Sequence, residues 1–244
     1  MFFPVQGDPY FASMVALLPM DGANNATSFP DFSPTTKTVT RTHSTVISTA
    51  LGFPAAYFPS ESYLTIGSHA DFVIGTGDYT LSFRCHLTSM SGTDIIVDFR
   101  PSASNGAYPC VVVYNTGVLS FYFNSDDRIV SASSAIAINT TYTITVCRSG
   151  SSTRMFLDGV QVGSTYSNAD SIPQSAGLLG GTTFWGASFV GGYLWDFQYV
   201  RAALYTANFT PTPSKGLMVY GSNKVFHQQP YAQPSFLQAA RLGL

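Results

Sequence analysis

The sequence predicts an all-β protein: a two-sheet antiparallel jelly-roll sandwich with extended N- and C-terminal arms. Three observations predict it. More than ten short segments alternate apolar and polar side chains with a period of two, as strands with one wet face do. Turn residues recur between those segments, and no long stretch keeps a helical period. Ser, Thr, Asn and Gly dominate the polar positions while only 10% of residues are charged, a composition that suits pleated surfaces better than Lys- and Glu-rich helix faces. No repeat at a fixed period is present, which disfavours a propeller or solenoid.

Residues 1–13 carry Phe2, Phe3, Val5, Tyr10 and Phe11 among Pro and Gly, too irregular for a helix and too apolar for a free tail. They are predicted to pack as an arm on the domain or on a neighbour. Residues 15–18 form a short apolar run, a buried strand, and 23–36 a turn-rich loop. Residues 38–42, 45–49, 55–58 and 63–66 are further strands. The cleanest alternation, YTLSFRCHL at 79–87, places Tyr79, Leu81, Phe83, Cys85 and Leu87 on one side and Thr80, Ser82, Arg84 and His86 on a wet side. Strands at 94–100, 110–114 and 118–123 follow, with 101–109 as a loop and Asp126-Asp127 on another exposed loop.

The stretch 142–162, YTITVCRSGSSTRMFLDGVQV, anchors the register of the second half. Tyr142, Ile144 and Val146 alternate with threonines, and Asp158-Gly159 is the dipeptide of a two-residue hairpin turn that needs positive φ at both centres. That turn sets Leu157 opposite Val160 and Met155 opposite Val162, so these four share one face while Arg154, Phe156 and Gln161 take the other. Burying these four contributes on the order of 6–10 kcal/mol before entropy, provided a second layer covers them. Residues 177–192 are glycine-rich strand pieces and bends. Residues 193–200 then put Tyr193, Trp195, Phe197 and Tyr199 on one face and Leu194, Asp196, Gln198 and Val200 on the other. The domain is predicted to span 14–213. Beyond it, 214–244 form a C-terminal extension with a strand at 216–220 and a short helix capped by Ser235. This extension either folds back on its own domain or docks on a neighbouring subunit, in which case Phe2, Phe3, Phe236, Leu237 and Leu242 are the expected assembly contacts.

A net charge of −2 supplies no basic field for a nucleic acid, and no apolar run reaches the roughly eighteen residues a membrane-spanning helix requires. The N-terminus lacks the basic start and apolar stretch of an export signal, and Cys85, Cys110 and Cys147 sit inside strands as buried free thiols. Catalytic residues are not expected. The chain has a single glutamate, Glu61, its twelve aspartates are scattered through turns, and its four histidines lack zinc spacing or a neighbouring nucleophile. Asp21, Asp31, Asp78 and Asp158 lie in turns, where Asp bonds backbone more often than a cation. Trp185, Trp195 and Tyr199 either form a stacking surface for sugar rings or belong to the core.

Four pieces, VALLPMDGANN (15–25), SYLTIGSHADF followed by GTGDYTLSFR (62–84), YTITVCRSGSSTRMFLDGVQVGS (142–164) and GGYLWDFQYVRAALYTANFTPTP (191–213), together resemble the laminin-G-like, concanavalin A-like jelly-roll domain, in particular versions found in tailed-bacteriophage virion proteins. The resemblance implies a sandwich whose concave face or loop rim, in many relatives, binds glycans or calcium. The family's pair of acidic residues in the last strand corresponds here to Trp195-Asp196, with indole replacing one carboxylate. Asp196, with Asp21, is therefore the candidate for calcium, and no other cofactor is expected. The leading expectation is a non-enzymatic structural component of a virion: a capsid decoration, collar or tail-associated subunit. Such a subunit would assemble in the host cytoplasm with other virion proteins and with copies of itself. The alternative is a glycan-binding adhesin that uses the jelly-roll face or loops.

Overall fold

A computed structural model describes residues 9–101, 105–183 and 188–212. The chain is all-β, with two antiparallel sheets packed as a jelly-roll sandwich. In chain order the strands are β1 (Met14–Leu18), β2 (Val39–Thr42), β3 (Val46–Ser48), β4 (Ala55–Phe58), β5 (Tyr63–Ile66), β6 (Tyr79–Ser89), β7 (Thr93–Asp98), β8 (Cys110–Tyr114) and β9 (Leu119–Phe123). The second half contributes β10 (Asp126–Val130), β11 (Thr141–Ser149), β12 (Ser152–Leu157), β13 (Val160–Ser167), β14 (Gly177–Leu179), β15 (Gly181–Thr182), β16 (Ser188–Phe189) and β17 (Gly191–Val200). One sheet runs β13-β12-β11-β6-β17-β4-β3, with β1 also paired to β17; the other runs β10-β9-β8-β7-β14-β5-β2; β15 and β16 form a small separate ladder. No helix among the described residues is long and apolar enough to cross a membrane.

The alternation read from the sequence fills the space between the sheets. From β6, Leu81, Phe83, Cys85 and Leu87 point inward, and Val111, Val113, Leu119, Phe121 and Phe123 meet them from the other sheet, all in one core cluster. The three cysteines are buried and free. Burial pushes the Cys85 thiol up to about 12, so it stays protonated and unreactive. Arg148 is also buried, and its guanidinium is satisfied by the carbonyls of Gly75, Gly77 and Asp170 while lying 5.1 Å from the Tyr79 ring centre. Cross-chain clamps of this kind fix the loops that enter β6.

The Asp158-Gly159 hairpin has the predicted register, Leu157 opposite Val160 and Met155 opposite Val162. Both turn residues take positive φ, 49° and 78°. The burial differs from expectation. Met155 is fully buried, but Val160 is 55% exposed at the sheet edge, and Phe156, predicted on the outer face, is fully buried. The cause is a strap, residues 201–212, laid over the outside of the eight-stranded sheet. Phe209 packs edge-on against Phe156 and its N–H donates to the Gly159 carbonyl at 2.9 Å, while the Gln161 N–H donates to Asn208 Oδ1. The same strap dries the predicted wet side of β6: Thr80 and Ser82 are buried, Thr80 Oγ1 donating to the Ala202 carbonyl at 2.7 Å and the Leu204 N–H donating back to that hydroxyl.

Two further expectations are corrected. Asp126-Asp127 lies on strand β10, not an exposed loop. In β17 a bulge between Trp195 and Gln198, with Asp196 at φ 50°, inverts the alternation part-way along. Before the bulge Leu194 faces the core and Tyr193 lies outside against Tyr57; after it Phe197 and Tyr199 face in.

Candidate functional site

A concavity large enough for a small ligand lies on the rim of the sandwich and measures about 370 Å3. Three local structures converge there. The connection from β4 to β5 is a tight turn, Ser62 N–H donating to the Pro59 carbonyl, and it holds Glu61 exposed at a left-handed φ of 61°. The connection from β6 to β7, which crosses from one sheet to the other, contributes Ser89, Ser91, Thr93 and Asp94, and its turn is closed by the Ser91 N–H donating to Asp94 Oδ2 at 3.0 Å. The third wall is Ser188, Phe189, Val190 and Gly191 from β16 and the start of β17. A Cβ at Gly191 would push the Ser89 hydroxyl aside, so the glycine lets the two strands' ends close around the cleft. Phe189 is held by stacking on Tyr63, ring centres 5.9 Å apart and 11° from coplanar.

The lining is mostly hydroxyls, with two carboxyl groups and one ring. Asp94 is 3% exposed; burial pushes its carboxyl up from the ordinary carboxylate range, and the Ser91 N–H partly offsets this. No donor among the described residues reaches its Oδ1. A carboxylate with a free acceptor, several hydroxyls that both donate and accept, and a fixed aromatic ring together suit a polyhydroxylated ring. Among the described residues the cleft contains no histidine, cysteine or lysine.

The predicted glycan residues lie elsewhere. Trp195 is 0% exposed, packing edge-on to Phe53 with ring centres 5.0 Å apart, and Tyr199 is buried between Tyr79, Phe72 and Phe99. Both are core, because the bulge turns the indole inward and the strand carries Tyr199 between the sheets. Trp185 lies outside the described residues, as do Phe2, Phe3, Phe236, Leu237 and Leu242. Asp196 faces the Arg84 guanidinium, Nε to Oδ2 3.2 Å, so a cation there would meet a positive charge. Asp21 is exposed, and no group of three or more His, Cys, Asp or Glu among the described residues is arranged to hold a metal ion. The other turn aspartates bind backbone: Asp31 accepts from the N–H groups of Leu17, Ser33 and Lys37, Asp78 from Gly150, and Asp158 from Thr143.

Two other polar clusters are closed. Under the strap, Arg84, Asp196, Tyr205 and Thr212 surround about 30 Å3, room for a water and not for a sugar ring. On the outer face of the seven-stranded sheet, Arg100 makes a two-point ion pair with Asp98 (2.8 and 2.9 Å), Thr182 Oγ1 donates to the same carboxylate, and Tyr114 and Ser120 donate to Asp127. Asp98, Arg100, Ser120 and Thr182 are buried, which makes this a structural network.

A laminin-G-like family model described as the concanavalin A-like lectin/glucanases superfamily matches residues 58–208, more than half of the chain. The chain belongs to this superfamily. No curated protein sequence is similar to it. Among solved structures, this superfamily member is similar to the binding domain of botulinum neurotoxin DC in complex with rat synaptotagmin II, with TM-score 0.61, 12% identity, and coverage of 80% of this chain and 50% of that one. A structure of botulinum neurotoxin type C, whose cell entry is described as dependent on interaction with two ganglioside molecules, gives 0.60, 12%, 80% and 49%. A Trypanosoma rangeli sialidase in complex with 2,3-difluorosialic acid gives 0.59, 11%, 80% and 32%. The chain thus spans about half the length of the toxin domains and about a third of the sialidase. At this identity the likeness establishes the fold.

Proposed function

We propose that the protein is a carbohydrate-binding module and that the rim cleft holds the sugar. One observation carries this: a cleft of about 370 Å3 lined by hydroxyls, the stacked Phe189 ring and the almost wholly buried Asp94, whose Oδ1 receives no hydrogen bond from the described residues. Pyranose recognition uses that combination, hydrogen bonds to ring hydroxyls with an aromatic face against the C–H side. Membership of a lectin-containing superfamily supports the same reading. The test is a glycan array followed by titration of the best ligand with Asp94→Ala. Losing a charged hydrogen-bond partner costs roughly 1.5–3 kcal/mol, about 10- to 100-fold in Kd. An array with no binder, or an unchanged Kd in Asp94→Ala, overturns the proposal.

The module is proposed to bind without turnover. Glu61 and Asp94 share the cleft, as two carboxyls do in glycosidases, but Glu61 stands exposed on a turn with no hydrogen bond from the described residues to fix it across a scissile bond. Recovery of intact ligand after prolonged incubation supports binding alone. Within this proposal the setting is the surface of a phage particle, on the strength of the four sequence pieces that resemble virion jelly rolls. Mass spectrometry of purified particles tests it, and absence of the chain from them would remove that setting without touching the binding function.

A further inference from the structure

We infer that the rim cleft selects uncharged glycans and rejects those whose terminal sugar carries a carboxylate or sulfate. The inference rests on the reading of the cleft as a carbohydrate site and adds a rule for which sugars enter. Among the described residues, the ionisable groups lining the cleft are Glu61 and Asp94, both acids, with no lysine, arginine or histidine. The guanidinium groups of Arg84, Arg100 and Arg128 and the ammonium of Lys37 are already paired with aspartates of their own. An acidic sugar entering here would bring a negative charge to two carboxyl groups with no counter-ion. Its own carboxylate or sulfate would offer only acceptors to Asp94 Oδ1, which is itself an acceptor. A neutral sugar presents hydroxyl donors to that oxygen and to Glu61, and its remaining hydroxyls meet Ser89, Ser91 and Ser188. Because Asp94 is almost wholly buried, the repulsion is screened less by salt than a surface contact would be.

The experiment measures Kd of the full chain for matched glycan pairs, identical in core and differing by a terminal sialic acid or a sulfate, at 0.15 M and 1 M NaCl. The expected result is at least tenfold tighter binding of the neutral member at 0.15 M, a ratio that narrows at 1 M. In Glu61→Gln and in the Glu61→Gln/Asp94→Asn double variant the ratio moves toward one, whatever the absolute affinities become. Glu61 is exposed, so the single variant keeps the test valid if the double variant does not fold. Equal or tighter binding of the acidic member overturns the selectivity and leaves the carbohydrate site standing. A ratio that persists in both variants overturns the assignment to these carboxyls. If neither member of any pair binds, the cleft itself is not a carbohydrate site and the inference falls with it.

Discussion

Asp98 has no exposure to solvent, and both its oxygens are engaged: by Arg100 at 2.8 and 2.9 Å, by the Arg100 N–H, and by Thr182. Such a pair adds little net stability compared with well-packed apolar residues, but breaking it strands a charge. Asp98→Asn leaves the Arg100 guanidinium buried opposite a neutral amide, and denaturant unfolding should show a loss of about 3–5 kcal/mol. Asp94 behaves in the opposite way. Its carboxyl is pushed up by burial, so its contribution to stability is fully present below the ordinary carboxylate value and is lost as pH rises through the raised one. Asp94→Asn, which keeps an acceptor for the Ser91 N–H, should therefore melt higher than the parent at pH 7. The two should converge below about pH 4. A group that costs stability where the protein works is better explained by a ligand than by the fold. Neither carboxyl stood out in the sequence: Asp94 opens an ordinary strand, and what singles it out is depth, which alternation does not encode.

At the scale of elements, strand periodicity was legible and departures from it were not. The segments at 55–58, 63–66 and 110–114 match β4, β5 and β8 residue for residue, because each is apolar, β-branched or aromatic and bounded by turn formers. The Asp158-Gly159 turn set its hairpin register for the same local reason. The β17 bulge escaped because no side chain announces it; Asp196 at φ 50° slips the pleat by one residue and carries Trp195 inward. The strap escaped too, since residues 201–212 have no period, and it is why Phe156, Thr80 and Ser82 are drier than predicted. Its seating is tight at Gly159, where φ is 78° and a Cβ would collide with the Phe209 carbonyl. Gly159→Ala should cost roughly 1–3 kcal/mol through strain at positive φ. Hydrogen exchange should show faster loss of protection at the Phe209 amide, which now donates to the Gly159 carbonyl.

For the whole molecule, the sandwich reserves most of its surface for itself. Arg84, Asp196 and the strap close the outside of the eight-stranded sheet, and the Asp98–Arg100 network occupies the outside of the other. The rim is left, and the cleft there depends on three connections far apart in sequence, at 59–62, 89–94 and 188–191. That dispersal is why no single stretch of the sequence announces the cleft. A recess of about 370 Å3 accommodates little more than the tip of a branched sugar. If the cleft holds sugar as proposed, one copy provides a shallow handhold that releases readily. Firm attachment to a sugar-coated surface then becomes a matter of how many copies are displayed side by side and how well their spacing matches the coat, since linked weak sites gain roughly 10²- to 10⁴-fold over a single one.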